Sequence, residues 1–210
     1  MREMGNKILA ASRLYSIVDM GYVRDVAAST TALLRGGVRV VQLRAKGLPP
    51  AEVKKLAQVA LPICREHGAL FVLNDYPEMA VELGAPAVHV GQDAGPLADI
   101  RRLVGPEMII GRSTHSVEQA RRAKEEGADY IGFGPLYPTG TKPGRPAIGL
   151  QGIPAVQELE MPVFCIGGVN EHTLPEVLAA GARRVVVVSW LLQQANISAA
   201  AQSLIHQLEG

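Results

Sequence analysis

Two stretches of this chain carry side chains whose types and spacing suit anion chemistry. In the run Q-L-R-A-K, Gln42, Arg44 and Lys46 stand at i, i+2 and i+4, so in an extended segment all three project to one side. Burying two unpaired charges is prohibitively costly, which excludes an ordinary core role. Two readings remain: an anion site, or an ion-pair network in which Arg44 bonds Asp75 across neighbouring strands. The second stretch is Gly134 to Lys142, G-P-L-Y-P-T-G-T-K. Its glycines let backbone N–H groups approach an anion closely. Thr139 and Thr141 add hydroxyls, and Lys142 adds a charge that a plain surface turn does not need.

Further polar residues follow apolar runs in the same way. Asn74-Asp75 follows L-F-V-L, and Asp75 is the best metal candidate, because Mg²⁺ needs only one or two carboxylates when phosphates complete its shell. A simple turn pair is the competing reading. His89 sits between apolar residues and reads as a hydrogen-bonded core histidine, whereas His115, in G-R-S-T-H-S with Ser113, lies in a polar loop and reads as the substrate contact. Gly167-Gly168, together with Val188-Ser189, matches the backbone phosphate sites of barrel enzymes. No Ser-His-Asp or Cys-His arrangement, H-E-x-x-H or C-x-x-C motif occurs.

What must position these residues is a repeating βα rhythm. Strands are expected at 13–18, 38–43, 70–73, 87–90, 108–110, 130–133, 163–166 and 184–188. Helices are expected at 23–35, 50–67, 77–83, 97–103, 116–126, 151–159, 171–179 and 197–208. Ser116 with Gln119 makes a capping-box pattern, and Gly68, Gly84, Gly127 and Gly181 follow helical stretches where a left-handed residue commonly ends a helix. Strands apolar throughout suit a parallel sheet covered by helices. The expected fold is therefore a single (β/α)8 TIM barrel over about 13–208, preceded by an N-terminal extension at 1–12. A doubly wound open sheet is the alternative. In a barrel, all the polar loop residues named above converge at one mouth.

Composition narrows the partners. With a net charge of +1 and no long run of like charge, there is no footprint for nucleic acid or an acidic membrane surface. The ligands are therefore expected to be small molecules. No stretch is long and apolar enough for a signal or a span, and Cys64 and Cys165 lie far apart in apolar segments as reduced thiols do, so the expected location is cytoplasmic. Oligomeric state is left open, a homo-oligomer included.

These motifs resemble the thiamin phosphate synthase family, including its thiazole tautomerase branch. The resemblance runs from about Arg13 to Leu192. It is carried by Q-L-R-A-K (42–46), L-N-D (73–75), V-H-V-G-Q (88–92), G-R-S-T-H-S (111–116), G-A-D-Y-I-G-F-G-P-L-Y-P-T-G-T-K (127–142), I-G-G-V (166–169) and V-V-S (187–189). It implies a (β/α)8 enzyme that joins hydroxymethylpyrimidine diphosphate to thiazole phosphate and releases pyrophosphate. The implied course is dissociative: diphosphate leaves, a pyrimidine methylene cation forms, and the thiazole nitrogen captures it. By the same resemblance Gln42 and Ser113 contact the pyrimidine and diphosphate, and Arg44, Lys46, Asn74 and Lys142 bind diphosphate. Asp75 ligates Mg²⁺, and Thr139, Thr141, Gly168, Val188 and Ser189 hold the thiazole phosphate. The family's second metal aspartate is replaced here by Ala94, leaving Asp93 as a substitute. The alternatives are a thiazole tautomerase, with His115 as acid and base, and a phosphate-binding barrel without catalysis.

Overall fold

A computed structural model describes residues 2–139 and 146–209. Eight parallel strands close into a barrel in sequence order, β1 pairing with both β2 and β8. The strands are β1 (Leu14–Asp19), β2 (Val40–Arg44), β3 (Leu70–Asn74), β4 (Ala87–Val90), β5 (Ile109–Thr114), β6 (Tyr130–Phe133), β7 (Val163–Ile166) and β8 (Val185–Val187). The open-sheet alternative is thereby excluded. Because each strand runs the same way, all eight C-terminal ends point to one mouth.

The helices are α1 (Arg2–Ala11), α2 (Val26–Arg35), α3 (Pro50–Glu66), α4 (Pro77–Leu83), α5 (Leu97–Val104), α6 (Val117–Glu125), α7 (Ile153–Gln157), α8 (Leu174–Ala179), α9 (Ser189–Leu192) and α10 (Ile197–Glu209). Most follow the expected pattern, and their boundaries move for local reasons. Helix α2 begins three residues later than its apolar spacing suggests, because Asp25 caps it by accepting from Ala28 N. Helix α8 loses its expected first turn to side-chain bonding. There Asn170 Oδ1 accepts from the backbone N–H groups of His172 and Thr173, and Thr173 Oγ1 donates to Gly168 O.

The larger differences lie at the two ends of the barrel. Strand β5 runs on through Arg112, Ser113 and Thr114, all buried, where apolar content alone ends it at Ile110. The extension is polar because it forms part of the mouth. At the opposite end, residues 2–11 form α1, which packs on β3 and β5. Gly5 lies so close to Ile109 that a Cβ there would stand 2.3 Å from Cδ1.

That N-terminal end is tied by Asp129, whose side chain is only 4% exposed. Its carboxylate accepts from Arg2 Nε at 2.8 Å, Arg101 Nη2 at 2.7 Å and Ile110 N at 2.9 Å. Replacing Asp129 by alanine would leave the Ile110 N–H and two guanidiniums without their acceptor. Asp129→Ala is expected to lower unfolding free energy by about 3 kcal/mol, the low end for breaking a buried pair because both arginines reach water. Urea unfolding measures the loss. Cys64 and Cys165 are both buried and free of disulfide, and burial pushes each thiol up to about 12.

Candidate active site

The period-two alternation of the strands decides which residues face the interior. One parity lines a cavity at the C-terminal mouth: Tyr15 and Ile17 on β1, Gln42 and Arg44 on β2, Tyr130 and Gly132 on β6. Ser113 and then His115 continue the series from β5, and Phe164 and Ile166 from β7. The opposite parity packs outward. Phe133, for instance, meets the helical layer, where a Cβ on Gly152 would stand 2.7 Å from its ring.

The floor is aromatic. Phe164 meets Tyr15 edge-on at 5.3 Å and Tyr130 at 5.9 Å between ring centroids, a packing preferred by ring quadrupoles. Gln42, 2% exposed, donates from Nε2 to the Tyr15 hydroxyl. His89 is buried with both ring nitrogens engaged, as the core reading expects, yet it also lines the cavity.

Around this floor the rim is polar. Arg44 lines the cavity with its Nη1 2.6 Å from Asp19 Oδ2, the two side chains 12% and 4% exposed. Asp19 also accepts from Gly21 N at 2.9 Å. The proposed cross-strand pair with Asp75 is therefore replaced by a pair with β1. The register explains why: Asp19 and Arg44 are directly opposite at the ends of β1 and β2.

Lys46 also departs from the simple projection. Strand β2 ends at Arg44, Ala45 is buried, and Lys46 lies exposed in a second depression beside Asp75. Asn74 lines both hollows and so forms the ridge between them. Its Nδ2 donates to Asp75 Oδ2 at 2.8 Å. Asp75 and Tyr76 adopt left-handed backbone, φ 58° and 53°, a conformation that side chains other than glycine rarely take. The Asp75 N–H is anchored on His89 O at 2.8 Å, so the strained turn fixes the carboxylate outside the end of β3.

On the far rim, His115 is oriented from two sides. Its ring Nδ1 faces Gly134 O, and its backbone N–H donates to Gln119 Oε1 at 2.8 Å. Ser116 caps α6 by accepting from Gln119 N. The capping-box glutamine thus reaches one residue beyond the cap and fixes the histidine. Gly167 and Gly168 adopt φ 102° and 69°, and Cβ atoms there would stand 2.5 Å from Pro135 Cα and 2.6 Å from Tyr137 Cβ. Only glycine allows the β7 loop to lie this close to the β6 loop. Thr139, Gly168, Val188 and Ser189 all line the cavity.

Thus the cavity gathers Gln42, Arg44, Asn74, Ser113, His115, Thr139, Gly168, Val188 and Ser189, while Lys46 and Asp75 share the adjoining hollow. Asp93 is exposed on a single 3₁₀ turn, Gln92–Ala94, and lines neither. Thr141 and Lys142 lie outside the described residues. Residues not singled out from the sequence include the floor aromatics Tyr15, Tyr130 and Phe164, and Trp190 at the start of α9. The first three were findable from strand parity once the barrel was assumed.

Fold and cavity together define a (β/α)8-barrel enzyme with its site at the C-terminal mouth of the strands. The model of the family described as thiamine monophosphate synthase matches residues 14–191, and the chain belongs to that family. It is 47% identical over 184 residues to a thiamine-phosphate synthase of Acidothermus cellulolyticus, covering 86% of this chain and 87% of that one. A thiamine-phosphate synthase of Mycolicibacterium vanbaalenii is 43% identical over 220 residues, with 99% and 98% covered. Among solved structures, thiamine phosphate pyrophosphorylase from Pyrococcus furiosus superposes with a TM-score of 0.86 at 31% identity, covering 97% of each chain.

Proposed function

We propose that this protein catalyses thiamine-phosphate synthesis by joining hydroxymethylpyrimidine diphosphate to thiazole phosphate, with release of pyrophosphate. The observation that supports it most is the division of the mouth: an aromatic-floored cavity adjoins an exposed hollow bearing Lys46 and Asp75, with Asn74 on the ridge between them. A flat heteroaromatic ring fits the cavity, and its diphosphate fits the ridge and hollow. Thr139, Gly168, Val188 and Ser189 supply a separate edge for the second phosphate.

In the reaction the methylene carbon–oxygen bond breaks, and both electrons leave with pyrophosphate. The thiazole nitrogen then donates its lone pair to the methylene cation, forming the carbon–nitrogen bond. No proton needs to be removed by a base. What the protein supplies is charge facing the leaving group, from Arg44 held on Asp19 and from Lys46 on its exposed arm, and this matters more in the transition state than in the ground state. Lys142, by its place in the family pattern, adds a further cation. The aromatic floor holds the ring in line for capture.

The residues fit Mg²⁺ completed by substrate rather than a site built by protein alone. Among the described residues no group of three histidine, cysteine, aspartate or glutamate side chains converges. Asp75 instead offers one exposed carboxylate fixed by its backbone turn and by Asn74. Asp75 would hold the ion; Asp93, which lines neither hollow, would have to reach over from the turn after β4 to assist. When bound, the ion neutralises charge on the diphosphate.

Ala94, exposed on the turn beside Asp93, gives the sharpest test of this metal. Ala94→Asp is expected to lower the Mg²⁺ concentration for half-maximal pyrophosphate release, and Asp75→Ala to abolish most metal-dependent turnover. Mg²⁺ titrations of the three proteins check it. An unchanged midpoint in Ala94→Asp together with an active Asp75→Ala would remove the metal assignment. The chemistry belongs in the cytoplasm, and among the described residues no helix is long and apolar enough to cross a membrane.

A further inference from the structure

Five polar groups at the cavity floor form one continuous hydrogen-bonded chain that crosses the barrel. Gln42 Nε2 reaches the Tyr15 hydroxyl at 2.5 Å, and that hydroxyl lies 3.2 Å from the hydroxyl of Tyr130. Tyr130 in turn lies 3.0 Å from His89 Nδ1, and His89 Nε2 lies 3.0 Å from Ser113 Oγ. All five residues are buried, and all five line the cavity.

The amide at one end sets a direction. Its N–H donates, so the Tyr15 oxygen accepts there; either hydroxyl can donate in the Tyr15–Tyr130 bond, and the order that continues the amide's direction gives the Tyr15 proton to Tyr130. Tyr130, accepting from Tyr15, has its own proton for His89 Nδ1. Burial raises both phenols far above their ordinary range, so each keeps the proton this sequence requires. A histidine that accepts at Nδ1 carries its proton at Nε2, and Nε2–H faces Ser113. With its oxygen occupied as acceptor, Ser113 turns its own proton into the cavity that it lines.

We infer that this one-way chain makes Tyr130 a positioning residue: it holds His89 as the neutral Nε2–H tautomer and so presents Ser113 as a hydrogen-bond donor to the substrate. The proton that Ser113 offers is accordingly matched by a substrate acceptor, of the kind offered by a ring nitrogen of a heteroaromatic. This deepens the synthase reading and rests on it for the identity of the ring. Tyr130 touches neither phosphate in that reading; its ring is part of the floor, and its hydroxyl, which Tyr130→Phe removes while keeping the ring, acts through His89.

The test is a ¹⁵N–¹H correlation spectrum of the imidazole nitrogens in the full chain labelled at histidine, with His89 assigned by its loss in His89→Gln. The unmodified protein is expected to show His89 protonated at Nε2 and bare at Nδ1. Tyr130→Phe is expected to mix the tautomers and to raise KM for the pyrimidine diphosphate roughly tenfold with kcat little changed, the pattern of one lost binding hydrogen bond. An Nδ1–H tautomer or a charged imidazolium in the unmodified protein would overturn the inference, and that spectrum decides even if Tyr130→Phe does not fold. So would a fall in kcat at unchanged KM. If the unmodified protein shows the expected tautomer but turns over neither synthase substrate, the synthase reading fails while the direction of the chain stands.

Discussion

Lys46→Ala is expected to lower kcat for pyrophosphate release by roughly 10²–10³-fold, the scale of removing one preorganised donor from a developing anion. The fold should not notice. Lys46 is exposed and makes no ion pair with any described residue, so a surface change of this kind should move stability by no more than about 0.5 kcal/mol. The contrast gives the prediction its force: a residue with no structural work has a large chemical effect. Steady-state kinetics beside a thermal melt measures both. Near-normal turnover would remove the leaving-group role from the hollow beside Asp75.

Arg44→Ala is expected to damage both properties at once. Its guanidinium meets Asp19, whose carboxylate is 4% exposed and also caps Gly21, so removing the arginine strands a buried charge at a cost of about 3 kcal/mol. Turnover should fall at least as far as in Lys46→Ala, because the same guanidinium lines the cavity. Asp19→Asn separates the two roles. It keeps the shape and one acceptor oxygen, and the charge it strands is the 12% exposed guanidinium rather than the 4% exposed carboxylate, so stability should fall less than in Arg44→Ala, while the guanidinium loses the charge that fixes its direction. Urea unfolding and kinetics on both variants check the pair. Equal loss of stability in Arg44→Ala and Asp19→Asn would contradict it.

These two residues also show what could be read from the sequence. Their placement at the end of a strand was legible, because an apolar run that gives way to Q-L-R-A-K cannot continue into a core. The single-face projection held for Gln42 and Arg44 and failed at Lys46, since an alternation rule lasts only as long as the strand and β2 stops at Arg44. Arg44's partner was misread for a related reason. Pairing depends on register, and β1 reaches Asp19, one residue beyond its apolar run. Strand β5 shows the same bias: apolar content marks the part of a barrel strand that packs, whereas the part that does chemistry is polar and looks like loop.

The two helices at the edges of the expected pattern were missed differently. Helix α1 lies before the first strand, where the βα rhythm gives no expectation, and α9 is four residues long, too short for periodicity to register. The aromatic floor was hidden because Tyr15, Tyr130 and Phe164 read as ordinary strand residues. Only closure of the barrel turns their parity inward. The left-handed turn at Asp75 and Tyr76 had no signal, since neither residue type demands that backbone.

The most direct test of the central claim is pyrophosphate release by the purified full chain with Mg²⁺, measured with each substrate alone and with both, alongside thiamine phosphate formed. The account predicts pyrophosphate and thiamine phosphate in equal amounts only when both substrates are present. Two results would contradict it: no pyrophosphate with both substrates, together with isomerisation of the thiazole carboxylate phosphate that His115→Gln abolishes, or binding of both phosphates without turnover.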